Sequence, residues 1–285
     1  VLPDGVTIDG LRADELPTLV AWAAAEGWNP ADGDLELARR IDPEAFLALR
    51  RDGELIGTGS VFSYAGAFGF MGCFIVRPDL RGEGLGTDLW YARRDRMLAR
   101  LRPGAAVGMD GVFAMVPFYE RGGVRLAYRD LRFEGFARGE VDRGVVALDE
   151  LPFEQVEAYD RRHVPAPRPE LLAGWLDRPG MSGAALVEDD RLVAYGVRRP
   201  APDAWRVGPL FADRPDAAER VLLHLLAGIE GDRVHLDVPE PNEPGLALAA
   251  GLGMVESFGC ARMYLGPDPG LPVERIFGVT SFELG

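Results

Sequence analysis

A chain of 285 residues is long enough for two domains, and 47% apolar with 27% charged residues is an ordinary globular composition. A net charge of −14 without any basic stripe argues against a nucleic-acid partner and suits a cationic small molecule, and no apolar run reaches membrane-spanning length. Two cysteines and three histidines share no ligand spacing, and there is no basic-then-apolar leader, so a cytoplasmic protein with buried thiols and no metal is expected.

The chain opens on Val1, so an initiator methionine is expected to precede it. A strand at 5–9 is followed by amphipathic helices at 14–26 and 34–41, then by a hairpin at 45–64 that turns at Asp52-Gly53. An apolar strand at 69–77 feeds the glycine-rich turn Arg81-Gly82-Glu83-Gly84-Leu85-Gly86, and a helix at 84–101 starts at once. Glycines let successive backbone N–H groups converge, and a helix N-terminus adds positive partial charge, so a strand, glycine turn and helix start make a diphosphate site. A P-loop is excluded, because Leu85-Gly86-Thr87 stands where Gly-Lys-Ser/Thr is required. A dinucleotide fingerprint is excluded too, because Gly82, Gly84 and Gly86 are spaced two and two. Elements at 105–110, 113–121 and 124–136 complete this half.

The second half repeats the first. Asp14-Glu15-Leu16-Pro17 recurs as Asp149-Glu150-Leu151-Pro152, and Pro78-Asp79 recurs as Pro215-Asp216. The hairpin at 51–56 has a counterpart at 188–193, and Arg121-Gly122-Gly123-Val124 one in Gly251-Leu252-Gly253-Met254. Four matches in the same order, offset by about 135 residues, indicate two copies of one α/β fold with a mixed sheet flanked by helices. The expected domains are 1–138 and 144–285. Elements of the second copy are expected at 144–148, 152–161, 168–177, 183–198, 204–212, 216–228, 233–238, 244–251 and 255–265, with an extra strand at 274–284. That extra strand has two readings: it completes the sheet of the first copy, or it remains the seventh strand of the second.

Arg-x-x-Gly-x-Gly at Arg81, Gly84 and Gly86, with Val76-x-Pro78 before it, resembles the acetyl-coenzyme A loop of the GNAT acyltransferase superfamily. Over its whole length the chain is similar to the YitH-like branch, which carries tandem GNAT folds. The resemblance rests on Glu26-Gly27-Trp28-Asn29-Pro30, the loop at 76–86, Phe118-Tyr119-Glu120-Arg121, Gly208-Pro209-Leu210-Phe211-Ala212-Asp213 and the closing segment 275–285.

The resemblance implies an acetyl-coenzyme A-dependent N-acetyltransferase of a small amine, by direct attack in a ternary complex. Phe74, Ile75 and Val76 would flank the thioester and supply an oxyanion donor. Arg81, Gly82, Glu83, Gly84, Leu85, Gly86 and Thr87 would hold the diphosphate. Tyr119 would protonate the departing thiolate, and Glu26, Trp28 and Asn29 would face the acceptor. For the general base, Glu26, Asp34 and Asp110 remain candidates; Asp110 is preferred, although Asp110-Gly111 also suits a turn. The second copy has Ala217-Ala218-Glu219-Arg220 in place of the glycine turn and Ala249 in place of Tyr119, so one site per chain is expected. A non-catalytic acyl-coenzyme A sensor and a transferase of longer acyl or aminoacyl groups are the alternatives, and both monomer and homodimer stay open.

Overall fold

The computed structural model describes residues 2–285. The first half runs β1 (Val6–Gly10), α1 (Leu16–Ala25), α2 (Asp34–Ile41), β2 (Phe46–Arg51), β3 (Glu54–Ser60), β4 (Phe62–Tyr64), β5 (Phe68–Met71), β6 (Ile75–Val76), α3 (Leu85–Ala99), β7 (Val107–Gly111), α4 (Val116–Arg121) and β8 (Arg125–Phe136). The second repeats the order as β9 (Val145–Ala147), α5 (Phe153–Asp160), α6 (Pro169–Leu176), β10 (Ser182–Glu188), β11 (Arg191–Ala201), β12 (Ala204–Ala212), α7 (Pro215–Leu226), β13 (Arg233–Pro239), α8 (Glu243–Gly251) and β14 (Val255–Leu265), followed by β15 (Ile276–Gly278).

Local sequence explains the matching hairpins. Asp52 and Gly53 adopt φ of 51° and 84°, and Asp189 and Asp190 adopt 48° and 61°. Two consecutive left-handed residues match the twist of the strands that they join. The expected strand at 69–77 is broken. Cys73 takes a φ of 50°, β5 leaves to pair in parallel with β7, and β6 pairs antiparallel with β3. This break splits the sheet: β1-β2-β3-β6 forms a small sheet, and the rest runs β4-β5-β7-β14-β8-β13-β12-β11-β10-β9.

The two halves exchange their last strands. β14 lies between β7 and β8, with Arg262 opposite Asp110 and Cys260 opposite Asp130, while β8 pairs β13 of the second half. Neither reading of 274–284 anticipated this. Only Ile276–Gly278 of that segment is a strand, and it pairs with β12 in its own half. The residues after it are a buried irregular tail (Val279 6% and Leu284 1% exposed). One apolar core runs through both halves, where Leu35 and Leu37 of α2 meet Leu171, Leu172 and Trp175 of α6. The two cysteines are free and buried.

Candidate active site

The divergence of β6 from β7 opens a cavity of about 530 Å³. Its entrance is the glycine turn. Gly82 and Gly84 both hold φ of 88°, and a Cβ built on either would project into open space rather than protein. Gly84 is the N-cap of α3 and no side chain caps the helix; the Thr87 N–H donates to the Gly84 carbonyl at 2.9 Å, and the Leu85 and Gly86 N–H groups are left for an anion. The donor set therefore fits a diphosphate, by backbone amides over a helix start rather than by a lysine. Arg81 donates to the Val76 carbonyl at 2.8 Å and pairs with Glu26.

The cavity passes Phe74, Ile75 and Val76 along the free edge of β6, whose other edge pairs with β3. Gly86 and Thr87 line it as well. Glu83 and Leu85 do not: the Glu83 carboxylate accepts from Arg51 at 2.5 Å, and Leu85 is buried against Val6, Leu49 and Ile56. A tight turn alternates its side chains, so only part of a contiguous motif faces the ligand.

Tyr119 lies deeper, on α4, packed between Trp90 and Phe74 at ring distances of 5.0 and 6.4 Å. Its hydroxyl makes no hydrogen bond among the described residues. Burial pushes its pKa up to about 12, and the nearby Arg93 guanidinium opposes that rise. Arg93 is itself fully buried, and its Nη2 donates to the Ser60 and Gly72 carbonyls at 3.1 and 2.8 Å. Burial pulls the Arg93 pKa down to about 10.

Of the expected acceptor residues, Glu26 and Trp28 line the cavity and Asn29 does not. The Trp28 carbonyl accepts from Arg132 and Arg206 at 2.9 and 3.0 Å, so both halves fix this turn. Asn29 takes a φ of 44° and serves the turn. The three base candidates are all tied to arginines. Asp110 lines the cavity, but both its oxygens accept from Arg262 of the exchanged strand at 2.6 and 2.8 Å. Burial raises its pKa, and Arg262 draws it back. Asp34 pairs with Arg178 and Arg199 and lies off the cavity lining.

The second half walls part of the cavity, through four residues that the sequence did not single out: Phe258 and Cys260 from β14, and Phe282 and Glu283 from the tail. No spacing signal points to them, because strand exchange brings in the first two and the returning tail the other two, from more than a hundred residues away. The second half lacks an equivalent cradle. Ala217 and Ala218 are wholly buried at the start of α7, and Arg214 is bonded to Glu188 and Asp216. Among the described residues no cluster could hold a metal, and no helix is long and apolar enough to cross a membrane.

Comparison with known proteins agrees with this geometry. Residues 11–123 match a family model described as Acetyltransferase (GNAT) family, and residues 156–278 match one described as Acetyltransferase (GNAT) domain. The chain is 29% identical over 268 residues to a holothin acyltransferase of Pseudoalteromonas sp. (strain SANK 73390), covering 93% of this chain and 89% of that one. It is 23% identical over 235 residues to the uncharacterized N-acetyltransferase YitH of Bacillus subtilis (strain 168), covering 80% of each. A crystal structure of a putative acetyltransferase from Pyrococcus horikoshii shares the fold over 100% of this chain and 98% of that one, with a TM-score of 0.86 at 20% identity. The chain belongs to the GNAT acetyltransferases, as a tandem of two GNAT folds, and is a transferase of the family that takes its acyl group from acyl-coenzyme A.

Proposed function

We propose that this protein is an acetyl-coenzyme A-dependent N-acetyltransferase of a small, largely apolar amine, with one active site per chain. The observation that carries this reading is the continuous cavity from the glycine turn, past the free edge of β6, to Tyr119 and on to Trp28, Phe258 and Phe282. The donor supplies an acyl group activated as a thioester. The chain supplies orientation, which is worth roughly 7–11 kcal/mol of barrier when the partners are well aligned. The free edge of β6 offers backbone N–H groups to the developing oxyanion. Tyr119 keeps its proton at neutral pH and gives it to the departing sulfur, and Arg93 stabilises the phenolate left behind. Asp110, held by Arg262, anchors the exchanged strand rather than serving as the base.

Aromatic side chains at the acceptor end favour a flat apolar body, and the net charge favours an amine. The relative named as a holothin acyltransferase favours transfer over sensing. The test is thiol release from acetyl-coenzyme A with benzylamine, phenethylamine and tryptamine against spermidine and glucosamine. Release with the arylalkyl amines is the expected result. Tight donor binding without release from any amine assigns the chain to a sensor. Faster release from a longer acyl thioester keeps the reaction class and changes the donor.

A further inference from the structure

The cavity lining contains three carboxylates, Glu26, Asp110 and Glu283. Arg81 pairs with the first and Arg262 with the second. Glu283 belongs to no ion pair among the described residues, although it is only 6% exposed. One of its oxygens accepts from the Ser281 hydroxyl at 2.5 Å. The other has no hydrogen-bond partner among the described residues and is not fully buried, so it opens on the cavity that the residue lines.

The tail that carries this carboxylate is fixed from both halves. A Cβ on Gly72 would stand 2.8 Å from the Glu283 carbonyl oxygen, so the tail lies directly against the break between β5 and β6. Tyr64 of the first half donates to the Leu284 carbonyl. From the second half, Arg199 donates to the Thr280 carbonyl at 2.8 Å and Arg168 to the Thr280 hydroxyl at 2.8 Å. A carboxylate held this firmly at the wall of a reaction cavity, with a free oxygen, is placed to act on a ligand.

We propose that Glu283, delivered by the second GNAT fold, is the general base that takes the proton from the acceptor amine in the first fold's active site. The assignment rests on the acyl-transfer reading above. As the C–N bond forms, the nitrogen of the neutral amine loses one proton to Glu283. As the C–S bond breaks, the sulfur gains one proton from Tyr119. The proton on Glu283 then returns through solvent to the Tyr119 phenolate, so amine and thioester become amide and thiol with no net change in protons.

The surroundings of Glu283 set its affinity for that proton. Burial raises its pKa above the usual carboxylate range, and Arg206, the Ser281 hydroxyl and Arg132 hold it down, while Asp34 pushes it up. Arg199 and the Cys73 thiol also face it. A carboxylate shifted upward works as a base nearer neutral pH.

The experiment compares the wild-type chain with Glu283→Gln and Glu283→Asp, using acetyl-coenzyme A and the arylalkyl amines named above. Glu283→Gln is expected to lose on the order of 10²–10⁴ in kcat/KM, with acetyl-coenzyme A affinity by calorimetry kept. In kcat at saturating amine, where ionisation of the free amine drops out, it should also lose the acidic limb of the pH–rate profile, which Glu283→Asp should retain at a displaced pKa. Difference infrared spectroscopy without substrates should show a carboxyl band that titrates in the wild type and is missing in Glu283→Gln. A Gln variant within about threefold of wild type overturns the assignment. If the Gln variant does not fold, an acidic limb of kcat that is unmoved in Glu283→Asp overturns it. A wild-type chain that binds donor but acetylates none of the amines overturns the acyl-transfer reading, and this assignment with it.

Discussion

Single residues decide what the cavity accepts. Gly84 holds a φ of 88°, with open space where a Cβ would stand. Gly84→Val both strains this turn and fills the diphosphate's place, so acetyl-coenzyme A binding by calorimetry should be lost. Tyr119→Phe keeps the ring between Trp90 and Phe74 and removes the proton. Donor affinity should stay near wild type while turnover falls by on the order of 10²–10⁴, against a factor of a few for a packing defect. His163 gives a separate test of the core. It is stacked on Phe211, its Nδ1 lies 2.9 Å from the Tyr159 carbonyl, and burial lowers its pKa to about 4. An unfolded histidine titrates near about 6.5, so it takes up a proton first as the pH falls. The stabilisation is whole above about pH 6.5 and drains away toward pH 4, by on the order of 3 kcal/mol. His163→Phe should flatten that part of the pH dependence of urea unfolding; an unchanged slope would assign it to other groups. The glycine turn and Tyr119 were legible because their chemistry is local. Phe258 and Glu283 were not, because an exchanged strand carries the first to the cavity and a returning irregular tail the second.

At the scale of elements, helices and hairpins follow the sequence closely. The helix expected at 34–41 is α2, and both Asp-led hairpins stand where their turns were read. The break at Cys73 was invisible, since Phe70 to Val76 is a continuous apolar run and periodicity cannot report a change of partner. The exchange of β8 and β14 was hidden for the same reason. Either strand presents a similar alternation, and only the completed sheet selects its neighbour. The tail was read as a strand, but it is held mostly by side-chain bonds and by burial of Phe277, Phe282 and Leu284. Deleting residues 274–285 exposes that surface along with Phe70. A fall of more than about 5 °C in the thermal midpoint is expected, since each buried large apolar side chain is worth about 1.5–3 kcal/mol. An unchanged midpoint would show the tail to be dispensable.

At the scale of the whole molecule, the repeat and the folding unit differ. The repeat divides at 138–144, but β14 completes the first half's sheet and β8 the second's. We propose that 1–138 and 144–285 are copies of one fold rather than independently stable domains. Each should be insoluble or unfolded alone, and the intact chain should unfold in one transition. The second copy has no glycine cradle of its own, but Phe258, Cys260, Phe282 and Glu283 line the cavity of the first, so the site is incomplete without it. The central claim is a single acyl-coenzyme A site at the glycine turn of 81–86. Calorimetric titration of the intact chain with acetyl-coenzyme A, beside the Gly84→Val variant, tests it most directly. One molecule bound per chain in the wild type and none in the variant is the predicted result; two equivalent sites, or undiminished affinity in the variant, would contradict it.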